Sequence, residues 1–256
     1  MLNASIRSMN ATIDCARAVP SPVDASPIRS PQAVHTALLP HFRGLDIVEI
    51  GTRNGDGMAC FARVAQHSTA IEIDKEYCNK LELQSAILQS EHGARFAVHC
   101  ADYRTASQVD ADVFTWWQQA PHLVNLRVLT ELRRRQLQGS IRPTAVAVML
   151  FDRSWEADMK SMHHLSESGL LRWKEHVTFN ETWRCSESGK TASLIADSAR
   201  MCLKRGTIRD SRMCKQWAMR RHCHRAQGSF VIAGVRLDSV RVQTSLPGTD
   251  DGRNPA

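Results

Sequence analysis

Stretches with strand character alternate with stretches of helical character over most of residues 32–180. The run 144–151, Thr-Ala-Val-Ala-Val-Met-Leu-Phe, is apolar at nearly every position, which is typical of a strand buried on both faces of a parallel sheet. This alternation predicts βαβ crossovers, and therefore an α/β fold with a doubly wound, mostly parallel sheet. Strands are predicted over 45–50, 69–73, 95–100, 110–115 and 144–151, and helices over 32–43, 58–66, 75–90, 121–138 and 154–166.

The rhythm changes after Gly169, where two strand-like runs follow at 171–180 and 229–235. No strong helical segment suited to a parallel crossover lies between them, so we expect an antiparallel pair at the end of the sheet. The predicted organisation is a disordered leader, one domain with a basic insertion, and a flexible tail. These segments are 1–31 for the leader, 32–237 for the domain, 184–225 for the insertion and 238–256 for the tail.

The most informative segment for function is Glu49-Ile-Gly-Thr-Arg-Asn-Gly-Asp-Gly57, between a predicted strand and a predicted helix. Glycines in such a turn adopt positive φ and let a ligand approach the backbone closely. The helix that follows presents free N–H groups to the ligand. An ordinary strand-to-helix turn is the alternative, because three glycines alone are weak evidence.

Two acidic residues strengthen the interpretation as a ligand site. Glu72 lies 21 residues after Gly51, at the end of the second predicted strand, where a carboxylate can accept hydrogen bonds from both ribose hydroxyls of an adenosine. Asp102 follows the third predicted strand and can accept a hydrogen bond from an adenine amino group. Open α/β sheets bind ligands at the carboxyl ends of their strands, so the three features together predict a site for an adenosine-containing ligand.

The glycine spacing and Glu49 favour a cationic cofactor over a dinucleotide. The spacing is G-x-x-x-G-x-G, whereas dinucleotide-binding turns have G-x-G-x-x-G. An acid at the end of the first strand would repel a pyrophosphate but suits the ammonium and sulfonium groups of S-adenosylmethionine. A nicotinamide-dependent oxidoreductase is therefore disfavoured.

Three motifs carry a resemblance to a known family. Glu49-Ile-Gly-Thr-x-x-Gly55 resembles motif I of class I S-adenosylmethionine-dependent methyltransferases in its E-I-G-T-x-x-G form, and residues 70–74 and 100–103 resemble the two motifs that follow it. The resemblance spans about residues 34–180 and 229–237, and it implies a Rossmann-like, seven-stranded sheet with S-adenosyl-L-methionine as cofactor. The roles it implies are contacts to the methionine moiety by Glu49, Gly51, Gly55 and Gly57, to ribose by Glu72, and to adenine by Asp102 and Tyr103.

The sequence departs from the family's pattern in three places. Arg53 replaces a glycine often found in motif I, and Thr115 stands where metal-dependent O-methyltransferases carry an aspartate ligand. Because a threonine cannot act as an anionic Mg²⁺ ligand, we expect no catalytic metal. The Asn/Asp-Pro-Pro-aromatic motif of many amino-methylating relatives is also absent. A small-molecule acceptor is the leading expectation, and a non-catalytic binding or scaffold protein of the same fold is the alternative.

Candidates for acceptor contacts and for a base lie after the fourth and fifth strands. Trp116 and Trp117 are expected to follow the fourth strand and to contact the substrate, with core packing as the alternative. Asp152 and His122 are candidate bases, although each is as readily explained as a cap or a surface group. We therefore assign no catalytic base.

The net charge of +7 is concentrated in residues 184–225, which hold 11 Lys or Arg and three acids, so this segment carries +8 and the remainder −1. The leading interpretation is a mobile surface insertion. Contact with polyanions through its Lys and Arg side chains is one alternative, and a translated noncoding stretch is another. Cys185, Cys202, Cys214 and Cys223, with His222 and His224, have spacings too long and irregular for a typical zinc site.

The eight cysteines include no CxxC pair, and no secretory signal follows Met1. We therefore expect reduced thiols and a cytoplasmic protein. The first 30 residues are rich in Ala, Ser and Arg and contain prolines, so import into an organelle is a weaker alternative. No apolar run approaches the roughly 18–20 residues that a membrane helix needs, so no membrane span is predicted. The sequence makes no prediction of oligomeric state.

Overall fold

A computed structural model describes residues 13–18, 32–106, 108–117, 122–153, 155–182 and 225–241. The strands are β1 (Asp46–Ile50), β2 (His67–Glu72), β3 (Ala97–Cys100), β4 (Val113–Trp117), β5 (Val146–Asp152), β6 (Leu171–Thr182) and β7 (Arg225–Arg236). The helices are α1 (Cys15–Ala18), α2 (Gln32–Phe42), α3 (Asp56–Phe61), α4 (Lys75–His92), α5 (His122–Leu137) and α6 (Glu156–Glu167).

All seven strands form one sheet in the order β3-β2-β1-β4-β5-β7-β6. The first five strands run parallel to one another, whereas β7 runs antiparallel to both β5 and β6. This order reverses direction between β1 and β4, which is the position where open α/β sheets bind ligands. The predicted fold class, a mostly parallel Rossmann-like sheet with a C-terminal antiparallel pair, is confirmed.

The last strand pair is longer than predicted. β6 and β7 pair from Leu171 opposite Val235 to Thr182 opposite Arg225. Arg225, which the sequence places in the basic insertion, therefore belongs to a strand. The rest of the predicted insertion, with its candidate zinc ligands, lies outside the described residues, as does the predicted tail beyond residue 241.

Side chains that alternate along the central strands supply two hydrophobic layers, one on each face of the sheet. Ile47 packs with α2, α3 and α4, whereas its neighbour Val48 packs with α5 and α6. The strands at the centre are therefore apolar on both faces, as a sheet covered by helices on both sides requires. The buried residues of the first layer include Leu38, Phe61, Leu81 and Val148, and those of the second include Leu129, Leu132, Leu165 and Met149.

Arg142 forms ion pairs with acidic residues at the amino ends of the parallel strands. Its guanidinium contacts the carboxylates of Asp112 at 2.7 Å, Asp46 at 3.0 Å and Asp110 at 3.1 Å. Hydrogen bonds to Asp112 raise the pKa of Arg142. A single cation thus forms ion pairs with three acids, and the polar residues at this edge have a structural role.

The structure corrects two predictions for the N-terminal part of the chain. Within the predicted disordered leader, Cys15–Ala18 is helical, and the backbone N–H of Cys15 donates to Thr36 Oγ1 at 3.0 Å. Cys15 is also disulfide-bonded to Cys60. The prediction of disorder is therefore wrong for residues 13–18, because tertiary contacts that local composition does not reveal hold this short segment.

The prediction of reduced thiols is wrong for the four described cysteines, which form the disulfides Cys15–Cys60 and Cys78–Cys100. Their partners are 45 and 22 residues apart in sequence, but their Cα atoms lie 5.6 and 5.7 Å apart. Sequence spacing cannot show such pairs, since the fold brings them together. The cytoplasmic location rested on reduced thiols and stays a prediction. Among the described helices, none has the length and apolarity of a membrane span.

Candidate cofactor site

The carboxyl ends of the parallel strands bring the predicted cofactor residues to one edge of the sheet. Glu49 near the end of β1 pairs in register with Ala70 of β2 and Thr115 of β4, and Glu72 at the end of β2 pairs with Cys100 of β3. Asp102 follows β3 by two residues. The three acids chosen from the sequence therefore lie at consecutive strand ends, as predicted.

The Gly-rich turn after β1 requires left-handed backbone at three positions. Gly51, Arg53 and Gly55 have φ values of 73°, 55° and 76°. A Cβ atom on Gly55 would lie 2.3 Å from Gln84 Oε1 and 2.5 Å from Leu81 Cδ2, so both conformation and space require glycine there. Glycine is the residue that accepts such backbone without strain. The turn is thereby held in one shape against α4.

Gly57 differs from the other two glycines, because its backbone is not left-handed and its Cα faces the core. A Cβ atom there would lie 2.8 Å from the Phe61 ring and 3.2 Å from His35 Nε2. Gly57 thus allows α3 to approach α2 closely. The helix itself, α3, spans only Asp56–Phe61 and ends earlier than the predicted helix over 58–66. Contact of Gly57 with the methionine moiety stays a prediction.

Glu72 ties the Gly-rich turn to the end of β2. Its Oε2 accepts a hydrogen bond from the Arg53 backbone N–H at 2.7 Å, and its Oε1 accepts from the N–H groups of Ile73 and Asp74 at 2.8 and 3.0 Å. The side chain is only 5% exposed. Both lone pairs of Oε1 are thus engaged, whereas Oε2 keeps one, so the carboxylate is fixed in position and can still accept a hydroxyl donor at Oε2.

The Arg53 side chain crosses to α4. Its Nη2 donates to the Tyr77 hydroxyl at 2.9 Å, and its guanidinium lies 5.3 Å from the centre of the Tyr77 ring. The residue that departs from motif I therefore adopts the left-handed backbone of a glycine and uses its side chain to join the turn to the helix that follows β2. Such a cation–aromatic contact stabilises the turn locally.

Asp102 is paired within its own turn. The Arg104 guanidinium donates to both of its carboxylate oxygens, with Nε at 3.0 Å from each. These hydrogen bonds lower the pKa of Asp102. Tyr103 beside it is half-buried, and burial raises the pKa of its hydroxyl. An adenine amino group would share the Asp102 carboxylate with Arg104, so the adenine contacts of Asp102 and Tyr103 remain predictions.

Glu49 is the most unusual group at this edge. Its side chain is 3% exposed, and Oε2 is buried without a hydrogen-bond partner. Burial, followed by the charges of Asp56 and Glu72, raises the pKa of Glu49 to about 8, while a hydrogen bond from the Trp117 indole acts in the opposite direction. A buried carboxyl oxygen with no donor is costly to a protein on its own.

Asp56 and His35 also lie at the candidate site, although the sequence did not indicate them. Asp56 begins α3 and is 8% exposed, so three buried acids surround the Gly-rich turn rather than two. His35 of α2 is fully buried, its Nε2 has no hydrogen-bond partner, and burial lowers its pKa to about 3. Asp56 could have been suspected from its place between two motif glycines, whereas nothing in the local sequence marks His35.

The two tryptophans lie within β4, not after it as predicted, because the strand spans Val113–Trp117 and not 110–115. Alternation along the strand therefore sends them to opposite faces. Trp116 is buried among α5 and α6, whereas Trp117 is half-buried and packs edge-on against His35 and Phe230. Packing in the core explains Trp116, and only Trp117, beside Glu49, keeps the position expected of a substrate contact.

The candidate base His122 belongs to a hydrogen-bonded chain. Trp116 Nε1 donates to Asn125 Oδ1 at 3.1 Å, Asn125 Nδ2 donates to Ser161 Oγ at 2.7 Å, and Ser161 Oγ lies 3.0 Å from His122 Nδ1. Burial and then the neighbouring His164 lower the pKa of His122. The chain joins β4, α5 and α6 and explains His122 structurally.

Asp152, the other candidate base, ends β5, and its backbone N–H donates to Asp158 Oδ2 at 2.8 Å. Asp158 is fully buried, and burial raises its pKa to about 6. Thr115 is also buried, with no partner for its hydroxyl. Across the described ranges, no group of three His, Cys, Asp or Glu side chains could hold a metal ion.

A surface depression of about 590 Å³ lies elsewhere, at the start of β5 and the end of β7, and is lined by Arg133, Gln136, Val146 and Arg236 among others. These residues are at the amino ends of the parallel strands. We place the cofactor site at the opposite edge, because the motif residues and the buried acids are there.

No family model matches the chain, and a search of curated proteins finds no significant match. Solved structures of similar fold include precorrin-6y C5,15-methyltransferase from Geobacter metallireducens, at 12% identity over 88% of this chain and 96% of that chain, with a TM-score of 0.49. Precorrin 8w decarboxylase from Methanobacterium thermoautotrophicum shows 13% identity over 86% and 94%, with a TM-score of 0.47. A tRNA (m1A58) methyltransferase from Aquifex aeolicus shows 12% identity over 79% and 68%, with a TM-score of 0.46.

Proposed function

We propose that the protein is an S-adenosylmethionine-dependent methyltransferase. The observation that carries the proposal is the buried carboxyl of Glu49, whose Oε2 has no partner and which lies beside the buried acids Asp56 and Glu72 at the Gly-rich turn. A cationic ligand would stabilise such a group, and S-adenosylmethionine carries an ammonium and a sulfonium group together with an adenosine. The sulfonium supplies an electrophilic methyl group when the cofactor is bound.

The residues fit that cofactor in three parts. Glu49, with the backbone of Gly51, Gly55 and Gly57, would hold the methionine moiety. Glu72 is already oriented by three backbone N–H donors and would accept a ribose hydroxyl at Oε2. Asp102 and Tyr103 would contact adenine.

The chain's own contribution to methyl transfer would be positioning and exclusion of water. Trp117 is the side chain best placed for this role, because its indole donates to Glu49 while its ring packs against His35 and Phe230. We propose a small-molecule acceptor that binds against Trp117.

A non-catalytic binding or scaffold protein is the second candidate. It is favoured by the acceptor side of the site, where His122 and Trp116 are engaged in a hydrogen-bonded chain with Ser161 and Asn125. Incubation with S-adenosylmethionine labelled in its methyl group and a metabolite extract separates the two candidates. Label transferred by the wild-type protein but not by Glu72→Ala supports the enzyme, whereas cofactor binding without transfer to any fraction supports the scaffold.

We also propose that the basic segment between β6 and β7 contacts polyanions, since residues 184–225 hold 11 Lys or Arg and three acids. The pairing of Thr182 with Arg225 suggests how to test it. A variant in which a short Gly-containing turn replaces 184–223 should keep the strand pair, because a change in loop length costs only about 0.6 kcal/mol per doubling. It should lose salt-sensitive binding to heparin, and retention of that binding would contradict the proposal.

A further inference from the structure

Acidic side chains and a neutral imidazole surround the carboxyl of Glu49, and these neighbours offer it no positive charge. Asp56 faces it from α3 and Glu72 from β2, and both act to keep it uncharged. From β4 the Trp117 indole donates a hydrogen bond, and from α2 His35 packs against the Trp117 ring. His35 brings no positive charge near neutral pH, because burial lowers its pKa to about 3.

A carboxylate with these neighbours cannot remain ionised without cost. Water is excluded from Oε2, which has no hydrogen-bond donor, and the charges of Asp56 and Glu72 act on the same carboxyl. Under such conditions a carboxylic acid takes up a proton rather than carry an unpaired buried charge. Geometry alone therefore favours the protonated form of Glu49 when no cationic ligand is bound.

A bound cation reverses that preference. An ammonium or sulfonium beside Oε2 supplies the missing partner and offsets the two neighbouring acids, so the ionised carboxylate becomes the favoured form. We propose that Glu49 keeps its proton in the ligand-free protein and releases it to solvent when the cationic part of the cofactor binds. The inference rests on the proposed function for the identity of the ligand, and it adds that cofactor affinity is controlled by pH.

The sign and the size of this control follow from one proton. The ligand binds the ionised form, so affinity rises with pH until Glu49 is ionised in the free protein and is level above that point. With the pKa of Glu49 at about 8 in the free protein, binding at pH 7 should release about 0.9 proton, and the dissociation constant should rise roughly 50-fold from pH 8 to pH 6.

Calorimetry with two ligands provides the test. S-adenosylhomocysteine keeps the ammonium group, whereas 5′-methylthioadenosine has the same adenosine and thioether without it. Each is titrated into the full-length protein at pH 7 in phosphate and in Tris, whose different heats of ionisation report the number of protons released. We expect close to one proton with S-adenosylhomocysteine and none with 5′-methylthioadenosine.

Two variants and a spectroscopic measurement complete the design. Glu49→Gln should bind S-adenosylhomocysteine without proton release, and Glu82→Gln, an exposed change on α4, should behave as the wild type. Binding of S-adenosylhomocysteine by the wild type with no proton release would overturn the inference but leave the proposed function standing. Binding of neither ligand would overturn the proposed function. The carboxyl ¹³C resonance of Glu49, followed against pH without ligand, needs no binding at all, and a midpoint near 4.5 would by itself overturn the inference.

Discussion

The backbone N–H of Arg53 donates a 2.7 Å hydrogen bond to Oε2 of Glu72, and this bond joins the Gly-rich turn after β1 to the end of β2. The contact gives one residue two functions. Glu72 holds the turn in its left-handed shape, and the same carboxylate is the candidate ribose acceptor. A change at Glu72 should therefore affect binding through both the lost acceptor and the loosened turn.

Glu72→Ala should weaken the binding of S-adenosylhomocysteine by roughly 1–3 kcal/mol, because charge-assisted hydrogen bonds to the ribose are lost. Calorimetry at fixed pH measures the effect, with Glu82→Ala as the matched change of an exposed acid on α4. Equal affinity of Glu72→Ala and the wild type would show that Glu72 does not contact the ligand.

Glu49→Gln should change stability in a direction set by pH. Burial raises the pKa of Glu49 to about 8 in the folded protein, above its ordinary 4.5, so the folded state binds the extra proton between these values. The wild type should therefore lose stability as pH rises from 4.5 to 8, whereas Glu49→Gln should not show this loss. At pH 8 we expect the variant to be more stable by roughly 2–4 kcal/mol, and at pH 5 to be close to the wild type. Urea denaturation of the ligand-free proteins at both pH values measures this. A variant that is less stable than the wild type at pH 8 would show that Glu49 is ionised and stabilised in the fold.

Gly55→Ala should destabilise the protein more than Gly93→Ala. Both glycines have positive φ, 76° and 67°, but an added Cβ meets Gln84 and Leu81 only at Gly55 and nothing within 4 Å at Gly93. Left-handed backbone costs a non-glycine residue roughly 1–2 kcal/mol, and crowding adds to this at Gly55. Denaturation midpoints of the two variants give the comparison. Equal losses would mean that the turn moves away from α4 without cost.

The two disulfides should differ in their resistance to reduction. Cys15 and Cys60 are fully buried, whereas Cys78 is buried but Cys100 is exposed. Thiolate attack requires access to a sulfur, so a mild reductant should open Cys78–Cys100 first. From the loops they close, of 45 and 22 residues, each bond should contribute about 3–4 kcal/mol to stability. Timed alkylation with peptide mapping identifies the order, and free thiols at all four positions before reduction would contradict the pairing.

The sequence predicts those features of the structure that depend on a short, continuous stretch of residues. The run 144–151 and the strand-to-helix alternation predicted the parallel sheet, since burial on both faces leaves a continuous apolar stretch. The placement of Glu49, Glu72 and Asp102 at one edge could be predicted because the carboxyl ends of parallel strands share that edge. β4 begins about three residues later than predicted, because Asp110 and Asp112 form ion pairs with Arg142 instead of continuing the strand.

Features that depend on distant contacts were not predicted. His35 lies in a helix of ordinary composition, and only the tertiary fold brings its Nε2 to Gly57 and its ring to Trp117. The disulfide Cys78–Cys100 likewise requires α4 to pack beside β3. Neither pair leaves a periodic or spaced pattern in the sequence, so pattern-based reasoning has nothing from which to infer it.

Direct titration tests most simply whether the edge formed by Glu49, Glu72 and Asp102 binds S-adenosylmethionine. The full-length protein is titrated at pH 8 with S-adenosylhomocysteine and, in parallel, with NAD. We expect saturable binding of S-adenosylhomocysteine that is weakened by Glu72→Ala, and no binding of NAD. Binding of NAD, with no binding of S-adenosylhomocysteine at several hundred micromolar, would contradict the proposed cofactor site.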